Sequence, residues 1–185
     1  DIGGWFLAPN TAGAENDDGI VDLTLISTIQ SDKSESPMDG MQGVTVEAVV
    51  THVNFSGFYL QEEATDSDGN VATSEGIYVF SGDGHGVEVG DLVQVTGTVD
   101  EYFGLTELTD VTDITEISTG ATVPDYTTVE FGTDALEQFE GMLVSMSAAP
   151  SDDPLTVIEN YNLARYGEVV LSSGVQLQPT QIYDA

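Results

Sequence analysis

Short β-type segments separated by turn residues fill most of this chain, and they constrain its fold more than any other feature. In residues 92–99 apolar and polar side chains alternate, which places Val93 and Val95 on the face opposite Leu92. Helical signal is confined to residues 133–139. The other predicted strands are equally short and β-rich; they span residues 21–29, 44–50, 57–61, 76–80, 105–108, 111–117, 142–144, 156–158 and 168–171. Many short strands at regular spacing predict an all-β barrel or sandwich.

The order of the central strands favours a barrel. A long first strand containing residues 44–53 is followed by a short second, a third, a fourth opened by Gly90 and Asp91, and a fifth near residues 105–108. This series suits a Greek-key barrel of the oligonucleotide/oligosaccharide-binding (OB) type. We therefore predict an all-β, OB-like Greek-key barrel with extensions. Its three parts are an N-terminal arm or tail of a preceding module at 1–25, the barrel at 26–120, and additional β-strands at 121–185 that pack on the barrel.

The charge balance limits what this chain binds. It has 33 acidic residues against two basic ones, Lys33 and Arg165, and a formal net charge of −31. Proteins gain affinity for DNA by releasing counterions from phosphates, and each such contact needs a Lys or Arg. We therefore expect any DNA binding to be electrostatically weak. Two interpretations of the acids remain open: a solvated surface suited to high salt or to the cell exterior, or carboxylates that chelate hard cations.

Missing residue types exclude several classes of site. The chain has no cysteine, which excludes disulfides, zinc ribbons, iron–sulfur clusters and thiol nucleophiles. Its two histidines, His52 and His85, lie far apart, and no HExxH motif or Walker loop occurs. Apolar runs are short, such as residues 48–50, so no segment is predicted to span a membrane. We therefore expect that this chain is not an enzyme by itself.

One loop has part of the pattern of a calcium site. Asp66, Asp68 and Asn70 place side-chain oxygens at alternate positions, as in the first half of an EF-hand loop, and Glu75 follows. The loop departs from that motif because Val71 occupies the position of its glycine and no glutamate follows at the twelfth position. The pattern predicts Ca²⁺ bound by Asp66, Asp68, Asn70 and Glu75. The alternative is an ordinary exposed hairpin loop rich in turn formers.

Aromatic residues beside turns are the second kind of candidate site. Phe55, Tyr102 and Phe103 lie next to turns, where a ring stacks on a nucleic-acid base or another ligand without a positive charge at the contact. Arg165 and Tyr166 form a second predicted contact, to a phosphate or a ligand. The alternatives are that the rings fill the barrel and that Arg165 pairs with a carboxylate or stacks on a tyrosine.

An ordered series of segments connects this chain to a known family. The series includes SPMDG (36–40), VTVEAVVT (44–51), VGDLVQVTGTV (89–99) and EYFGLTEL (101–108). Its other members lie at residues 27–30, 57–61, 73–80, 139–144 and 159–172. The series resembles the OB-like domain of large secreted bacterial nucleases, in which it precedes an endonuclease/exonuclease/phosphatase-type catalytic domain. The resemblance implies an extracellular accessory module, with the metal-dependent phosphodiesterase chemistry in a downstream domain.

Three functions agree with these features. The first is a non-catalytic accessory module of a secreted nuclease, which positions substrate or spaces domains and has the downstream nuclease domain as its partner. The second is an extracellular structural subunit that self-assembles by adding the arm and the strand at residues 22–29 to a neighbour's sheet edge, with Ca²⁺ bridging the acids. The third is a polysaccharide-binding module. Because the chain starts at Asp1 rather than Met, we expect an excised piece of a longer secreted protein.

Overall fold

Five strands form a closed barrel in the computed structural model, which describes residues 21–82, 86–132, 136–149 and 153–174. The strands are β1 (Gln42–Val53), β2 (Gly57–Gln61), β3 (Gly76–Phe80), β4 (Leu92–Glu101) and β5 (Thr106–Ser118). Around the barrel their order is β1-β2-β3-β5-β4, with β3 and β5 parallel and every other pair antiparallel. A five-stranded Greek-key barrel of this order is the OB arrangement. The predicted all-β, OB-like fold is therefore confirmed.

Side chains at alternate positions of the strands point inward and fill the interior of the barrel. The inward-facing residues at 0% exposure are Val44, Val46, Val50, Phe58, Leu60, Ile77, Val79, Val93, Val95, Val99 and Leu108. β-Branched side chains predominate among them, and these pack well on a pleated surface. Gly97 interrupts the inner face of β4, where a Cβ would lie 2.8 Å from the carbonyl oxygen of Thr109 on β5. The close approach of the two backbones requires glycine at this position.

The prediction of a strand at residues 21–29 is wrong for most of that range. Leu23 forms an isolated parallel bridge to β1, and helix α1 (Ile26–Gln30) follows shortly after it. Ile26 and Ile29 both have 0% exposure and belong to the barrel core. In a strand these two residues would point to opposite faces, whereas a spacing of three places them on one face of a helix. Burial in the barrel core therefore overrides the local β-propensity.

Residues 137–143 pack against β3 and belong to the same compact unit as the barrel. They begin with a 3-10 helix (Glu137–Phe139), which is the described part of the helix predicted from the sequence; residues 133–135 lie outside the description. Gly76 in β3 and Gly141 approach so closely that a Cβ on Gly76 would lie 2.4 Å from the carbonyl carbon of Gly141. Any side chain at Gly76 would therefore separate this segment from the barrel.

The remaining strands form a second compact unit, which contains Tyr126–Leu136 and the described residues from Val144 onward. Its pairs are β6 (Thr127–Glu130) with β7 (Val144–Ser147), which are parallel, and β8 (Leu155–Glu159) with β9 (Val170–Ser173), which are antiparallel. Helix α2 (Leu163–Tyr166) lies between β8 and β9 in the chain. Of the predicted extension at 121–185, residues 121–125 and 137–143 belong to the unit of the barrel, and the packing of the rest on the barrel stays a prediction. Residues 1–20, most of the predicted arm, lie outside the described part.

We expect Ile26→Ala and Ile29→Ala each to lower the free energy of unfolding by about 2–5 kcal/mol, because a truncated core isoleucine leaves a cavity. Leu25→Ala is the control, since Leu25 is 40% exposed and its truncation should cost about 1 kcal/mol or less. Urea unfolding followed by circular dichroism measures all three variants. A large loss for Leu25→Ala together with no loss for Ile26→Ala would contradict the helix.

Candidate functional site

One lateral row of side chains crosses all five barrel strands. The register pairs His52 with Tyr59, Tyr59 with Tyr78, Tyr78 with Glu107, and Glu107 with Asp100. Residues opposite one another on neighbouring strands share a face, and in β2 to β5 these positions alternate with the inward core residues. The row therefore lies on the outer face of the barrel. We call these five residues the aromatic–acidic row, because rings occupy one end and carboxyl groups the other.

The aromatic half of the row is closely packed. The ring centroids of Tyr59 and Tyr78 are 4.8 Å apart and those of His52 and Tyr59 are 6.1 Å apart, with tilted planes in both pairs. These separations are typical of interacting aromatic pairs. The Tyr78 hydroxyl lies 2.9 Å from Ser56 Oγ and donates to Asn54 Oδ1 at 3.2 Å. Because Tyr78 is buried while His52 is exposed and Tyr59 half-buried, a ligand reaches the row through His52 and Tyr59.

The acidic half carries less charge than its two carboxyl groups suggest. Glu107 is buried, and burial raises the pKa of Glu107 to about 7, with the negative charge of Asp100 adding to the shift. Near neutral pH the Glu107 carboxyl is therefore divided between its protonated and ionised forms. A protonated carboxyl both donates and accepts hydrogen bonds, and because Glu107 is 6% exposed, its partners lie within the protein.

Two loops with exposed aromatic residues border this face. The β1–β2 loop carries Phe55, which is 80% exposed, and the β4–β5 turn carries Tyr102 and Phe103, which are 58% and 94% exposed. His52 shortly precedes the first loop and Asp100 shortly precedes the second. The first loop follows β1 and the second follows β4. Because β1 and β4 are antiparallel, the two loops lie at opposite ends of this strand pair. The ligand residues predicted in these loops are accessible, and the loops are those that flank the ligand face of OB barrels.

Phe103 occupies a backbone conformation that disfavours bulky side chains. It has φ +54° and Gly104 has φ +82°, as in a type I′ turn, which prefers Asn-Gly at these positions. Tyr102 and Leu105 exchange two backbone hydrogen bonds of 3.0 and 3.1 Å across the turn. The rings of Tyr102 and Phe103 meet edge to face, with centroids 4.8 Å apart. Since a left-handed backbone costs a residue with a Cβ about 1–2 kcal/mol, an exposed Phe here indicates a surface role.

The residues predicted to bind Ca²⁺ lie in the loop between β2 and β3, where two of them serve the loop itself. Asp68 Oδ1 accepts the Asn70 N–H at 2.6 Å, and Asn70 Oδ1 accepts the Ala72 N–H at 3.2 Å. Among the described residues, no group of three or more His, Cys, Asp or Glu side chains is placed to hold a metal ion. Ca²⁺ at Asp66, Asp68, Asn70 and Glu75 stays a prediction, which the loop's own hydrogen bonds do not favour for Asp68 and Asn70.

Glu75, the fourth of those residues, is half-buried, and its carboxyl group pairs with that of the buried Glu62. Glu62 directly follows β2, is 4% exposed, and donates its backbone N–H to the Glu75 carbonyl oxygen at 2.9 Å. Glu62 Oε1 accepts the Ile26 N–H at 2.5 Å, and Glu75 Oε1 accepts the Ser67 hydroxyl at 2.6 Å. The other oxygen of each carboxyl group, Oε2, is buried without a hydrogen-bond partner among the described residues.

A proton on the Glu62 carboxyl group explains why these two oxygens have no other hydrogen-bond donor. Burial is the main cause that raises the pKa of Glu62 to about 9; the hydrogen bond with the Glu75 side chain and the negative charges of Glu75 and Asp66 also raise it, while the Ile26 N–H lowers it. At neutral pH the Glu62 carboxyl therefore keeps its proton and donates it to Glu75. The pair then carries one negative charge rather than two.

Glu140 has a structural role in the same compact unit. Its Oε1 accepts the Thr106 N–H at 2.8 Å and Gln30 Nε2 at 3.3 Å, and its carbonyl oxygen accepts the Ser74 hydroxyl at 2.5 Å. Burial raises the pKa of Glu140, and the hydrogen bonds from Thr106 and Gln30 act in the opposite direction. Gln30 also donates to the Gly76 carbonyl oxygen at 2.7 Å. Glu140 thus joins residues 137–143 to the barrel and to α1.

The predicted contact through Arg165 and Tyr166 stays a prediction. Helix α2, which contains both residues, belongs to the second unit, and their side chains lie outside the description. The aromatic–acidic row was not predicted from the sequence. The available signal was the alternation in β2 and β3, which places Tyr59 and Tyr78 opposite the core residues of those strands. No such signal identifies Glu107 as a member of the row, since its pairing with Tyr78 depends on barrel closure between β3 and β5.

We expect Phe103→Asn to be more stable than Phe103→Ala by about 0.5–1 kcal/mol, because both variants lose the ring while Asn tolerates positive φ better than Ala. The comparison isolates the backbone preference from the lost contact with Tyr102. Chemical denaturation of the two variants gives the difference in the free energy of unfolding. Equal stability, or a more stable alanine variant, would show that residue 103 does not hold a positive φ in solution.

We expect the free energy of unfolding to decrease as pH rises from about 5 to 9, because folded Glu62 keeps a proton that the unfolded chain has already released. The contribution is complete below the unfolded pKa and is lost as pH rises through the folded pKa. Glu62→Gln keeps the donor and acceptor but does not titrate. Urea unfolding in EDTA across this pH range should give a shallower decrease for Glu62→Gln, and identical slopes would refute the protonated pair.

Comparisons with known proteins leave the family of this chain open. No family model matches it, and no curated protein matches it. A solved structure described as "Structure of the hypothetical protein ygiW from E. coli" matches with a TM-score of 0.36 and 21% identity, over 60% of this chain and 100% of that one. That likeness is too distant to support an argument, so the fold assignment depends on the strand order. Among the described residues, no helix has the length and apolarity to cross a membrane.

Proposed function

We propose that this chain is a non-catalytic OB-like accessory module that holds a polymer on the outer face of β2 and β3. The observation that carries the proposal is the placement of exposed aromatic residues on both loops that border this face: Phe55 on one side, Tyr102 and Phe103 on the other. The aromatic–acidic row supplies the surface between them. In OB barrels this face and these two loops form the ligand surface for oligonucleotides and oligosaccharides.

Aromatic stacking suits the charge of this protein. A base or a sugar ring stacks on an exposed aromatic side chain without a cation at the contact, and base stacking contributes about 1–3 kcal/mol per base. The described side chain of Lys33 is exposed and belongs to neither bordering loop. With a net charge of −31, the module would bind single-stranded nucleic acid through its bases rather than through phosphates. Binding of this kind is strengthened rather than weakened when salt screens the repulsion.

The nuclease context comes from the sequence resemblance. In that context the module would be secreted, would act beside a downstream catalytic domain, and would present a nucleic-acid strand to it. A role outside catalysis agrees with the chemistry of the proposed face, which offers the side chains of His52, Tyr59 and Asp100 from the aromatic–acidic row. Its one histidine, His52, is separated from the row's carboxyl groups by two tyrosines in the strand register.

A polysaccharide ligand is the second candidate function. It is favoured by the exposed rings of the two bordering loops together with the half-buried carboxyl group of Asp100, since sugars present both apolar ring faces and hydroxyl groups. Self-assembly through a donated strand at residues 22–29 has less support, because Ile26 and Ile29 are buried in the core. Assembly through other strand edges stays a prediction, as does Ca²⁺ bridging between subunits.

We expect the full chain to bind a fluorescent single-stranded oligodeoxynucleotide or a neutral oligosaccharide, and Phe55→Ala and Phe103→Ala each to weaken that binding about tenfold, because each removes one stacking surface. Fluorescence anisotropy measures DNA affinity at several salt concentrations, and calorimetry measures the oligosaccharide. The control is Tyr161→Ala, since Tyr161 is 86% exposed and belongs to neither bordering loop.

The outcomes separate the alternatives. DNA affinity that is steady or increases with salt, and that both loop variants reduce, supports the nuclease-accessory function. Oligosaccharide binding with the same sensitivity supports the second candidate. Binding to neither ligand, or equal affinity for wild type and both loop variants, would overturn the proposal.

A further inference from the structure

One end of the outer face of β2 and β3 is covered by the protein itself. Gln61, the last residue of β2, is 4% exposed, and its Oε1 accepts the Leu143 N–H at 2.9 Å. Its register partner in β3, Gly76, lies against Gly141. A polymer on this face therefore lies between Tyr59 and the other end of the hairpin, where β2 begins and β3 ends.

Two exposed rings lie at that other end. Gly57 and Phe80 are register partners, and they share the outer face because they alternate with inward core residues of β2 and β3. A Cβ on Gly57 would lie 2.9 Å from the Tyr78 hydroxyl, so glycine leaves the room in which that hydroxyl lies. Phe80 is 48% exposed, and Phe55 in the loop before Gly57 is 80% exposed. A planar ring that binds here has aromatic surface to stack on.

The side-chain amide of Asn54, next to Phe55 in the chain, has a fixed orientation. Its Oδ1 accepts the Ser56 backbone N–H at 2.9 Å, the Ser56 hydroxyl at 3.4 Å and the Tyr78 hydroxyl at 3.2 Å. Because a backbone N–H only donates, the amide atom that faces it is the oxygen. Among the described residues Nδ2 has no hydrogen-bond partner, and Asn54 is half-buried. The side chain therefore offers a ligand N–H donors and no free acceptor.

This orientation changes which base an asparagine recognises. An asparagine with both amide groups free accepts a hydrogen bond from N6 of adenine and donates one to N7, whereas guanine presents two acceptors, N7 and O6, on the same edge. Because Asn54 Oδ1 already accepts internal donors, the amino group of adenine would face the Nδ2 donors. Guanine instead presents acceptors to them. Asn54 thus resembles lysine, which binds guanine through the same two atoms, but it carries no charge.

We propose that Asn54 determines base specificity on the polymer-binding face: a guanine of a single strand stacks on Phe55 and accepts hydrogen bonds from Asn54 Nδ2. This inference rests on the proposed function, because it requires a nucleic-acid strand on that face. A neutral hydrogen bond gained with guanine and lost with adenine gives a preference of about three- to tenfold. Ser56 and Tyr78 are positioning residues, since they act on the base through Asn54 Oδ1.

The test uses the full chain and short single-stranded oligodeoxyadenylates that differ only in the central base, which is adenine, guanine or hypoxanthine. Competition followed by fluorescence anisotropy should show the guanine strand bound about three- to tenfold more tightly than the adenine strand. Hypoxanthine keeps O6 and N7 but lacks the amino group of guanine, so its strand should bind as the guanine strand does. Asn54→Asp keeps the oxygen that accepts the Ser56 N–H but replaces the Nδ2 donors with an acceptor. It should remain folded and lose the preference for guanine.

Asn70→Asp is the matched control, because it makes the same chemical change in the β2–β3 loop, at the other end of the hairpin, and keeps the oxygen that accepts the Ala72 N–H. It should retain the preference. Three results would overturn this inference: equal affinity for the guanine and adenine strands, a hypoxanthine strand that binds like adenine, or a guanine preference that survives in Asn54→Asp. If Phe55→Ala still weakens the binding of every strand, the polymer-binding face stands without it. No binding of any strand would overturn this inference together with the nucleic-acid ligand of the proposed function.

Discussion

Closure of the barrel between β3 and β5 is the constraint on which the rest of this structure depends. The two strands meet in parallel through only two register pairs, Tyr78 with Glu107 and Val79 with Leu108. The second pair closes the core, because both of its side chains are fully buried. The first pair completes the aromatic–acidic row on the outside. Loss of closure would expose the apolar interior and separate the rings from the carboxyl groups.

Acidic side chains, one buried and one half-buried, hold the parts of this unit together, which is unusual in a chain so poor in cations. Glu62 binds the first amide of α1, and Glu140 binds α1 through Gln30 and β5 through Thr106. Glu62 is stable in its buried position because it keeps a proton, and Glu140 because N–H donors surround it. The acidity of the chain therefore has two components: a solvated surface, and a few carboxyl groups with internal structural roles.

Strand pattern alone predicted the barrel, since alternation in residues 92–99 and the order of five short strands specify inner faces and connections. It failed at residues 21–29, where β-rich composition concealed a helix whose isoleucines complete the core. Phe55, Tyr102 and Phe103 were predictable as exposed residues because turns flank them. The aromatic–acidic row was not, because strand register and the parallel β3–β5 pairing bring distant residues together. The pairing of Glu62 with Glu75 likewise depends on how the loop between β2 and β3 returns.

The most direct test of the polymer-binding face is a nuclear magnetic resonance titration of the ¹⁵N-labelled full chain with single-stranded DNA and, separately, with a neutral oligosaccharide. If the face binds a polymer as proposed, one of these ligands shifts the amide resonances of Tyr59, Phe55 and Phe103 together. Shifts that leave these three residues out, or no shifts with either ligand, would contradict the proposal.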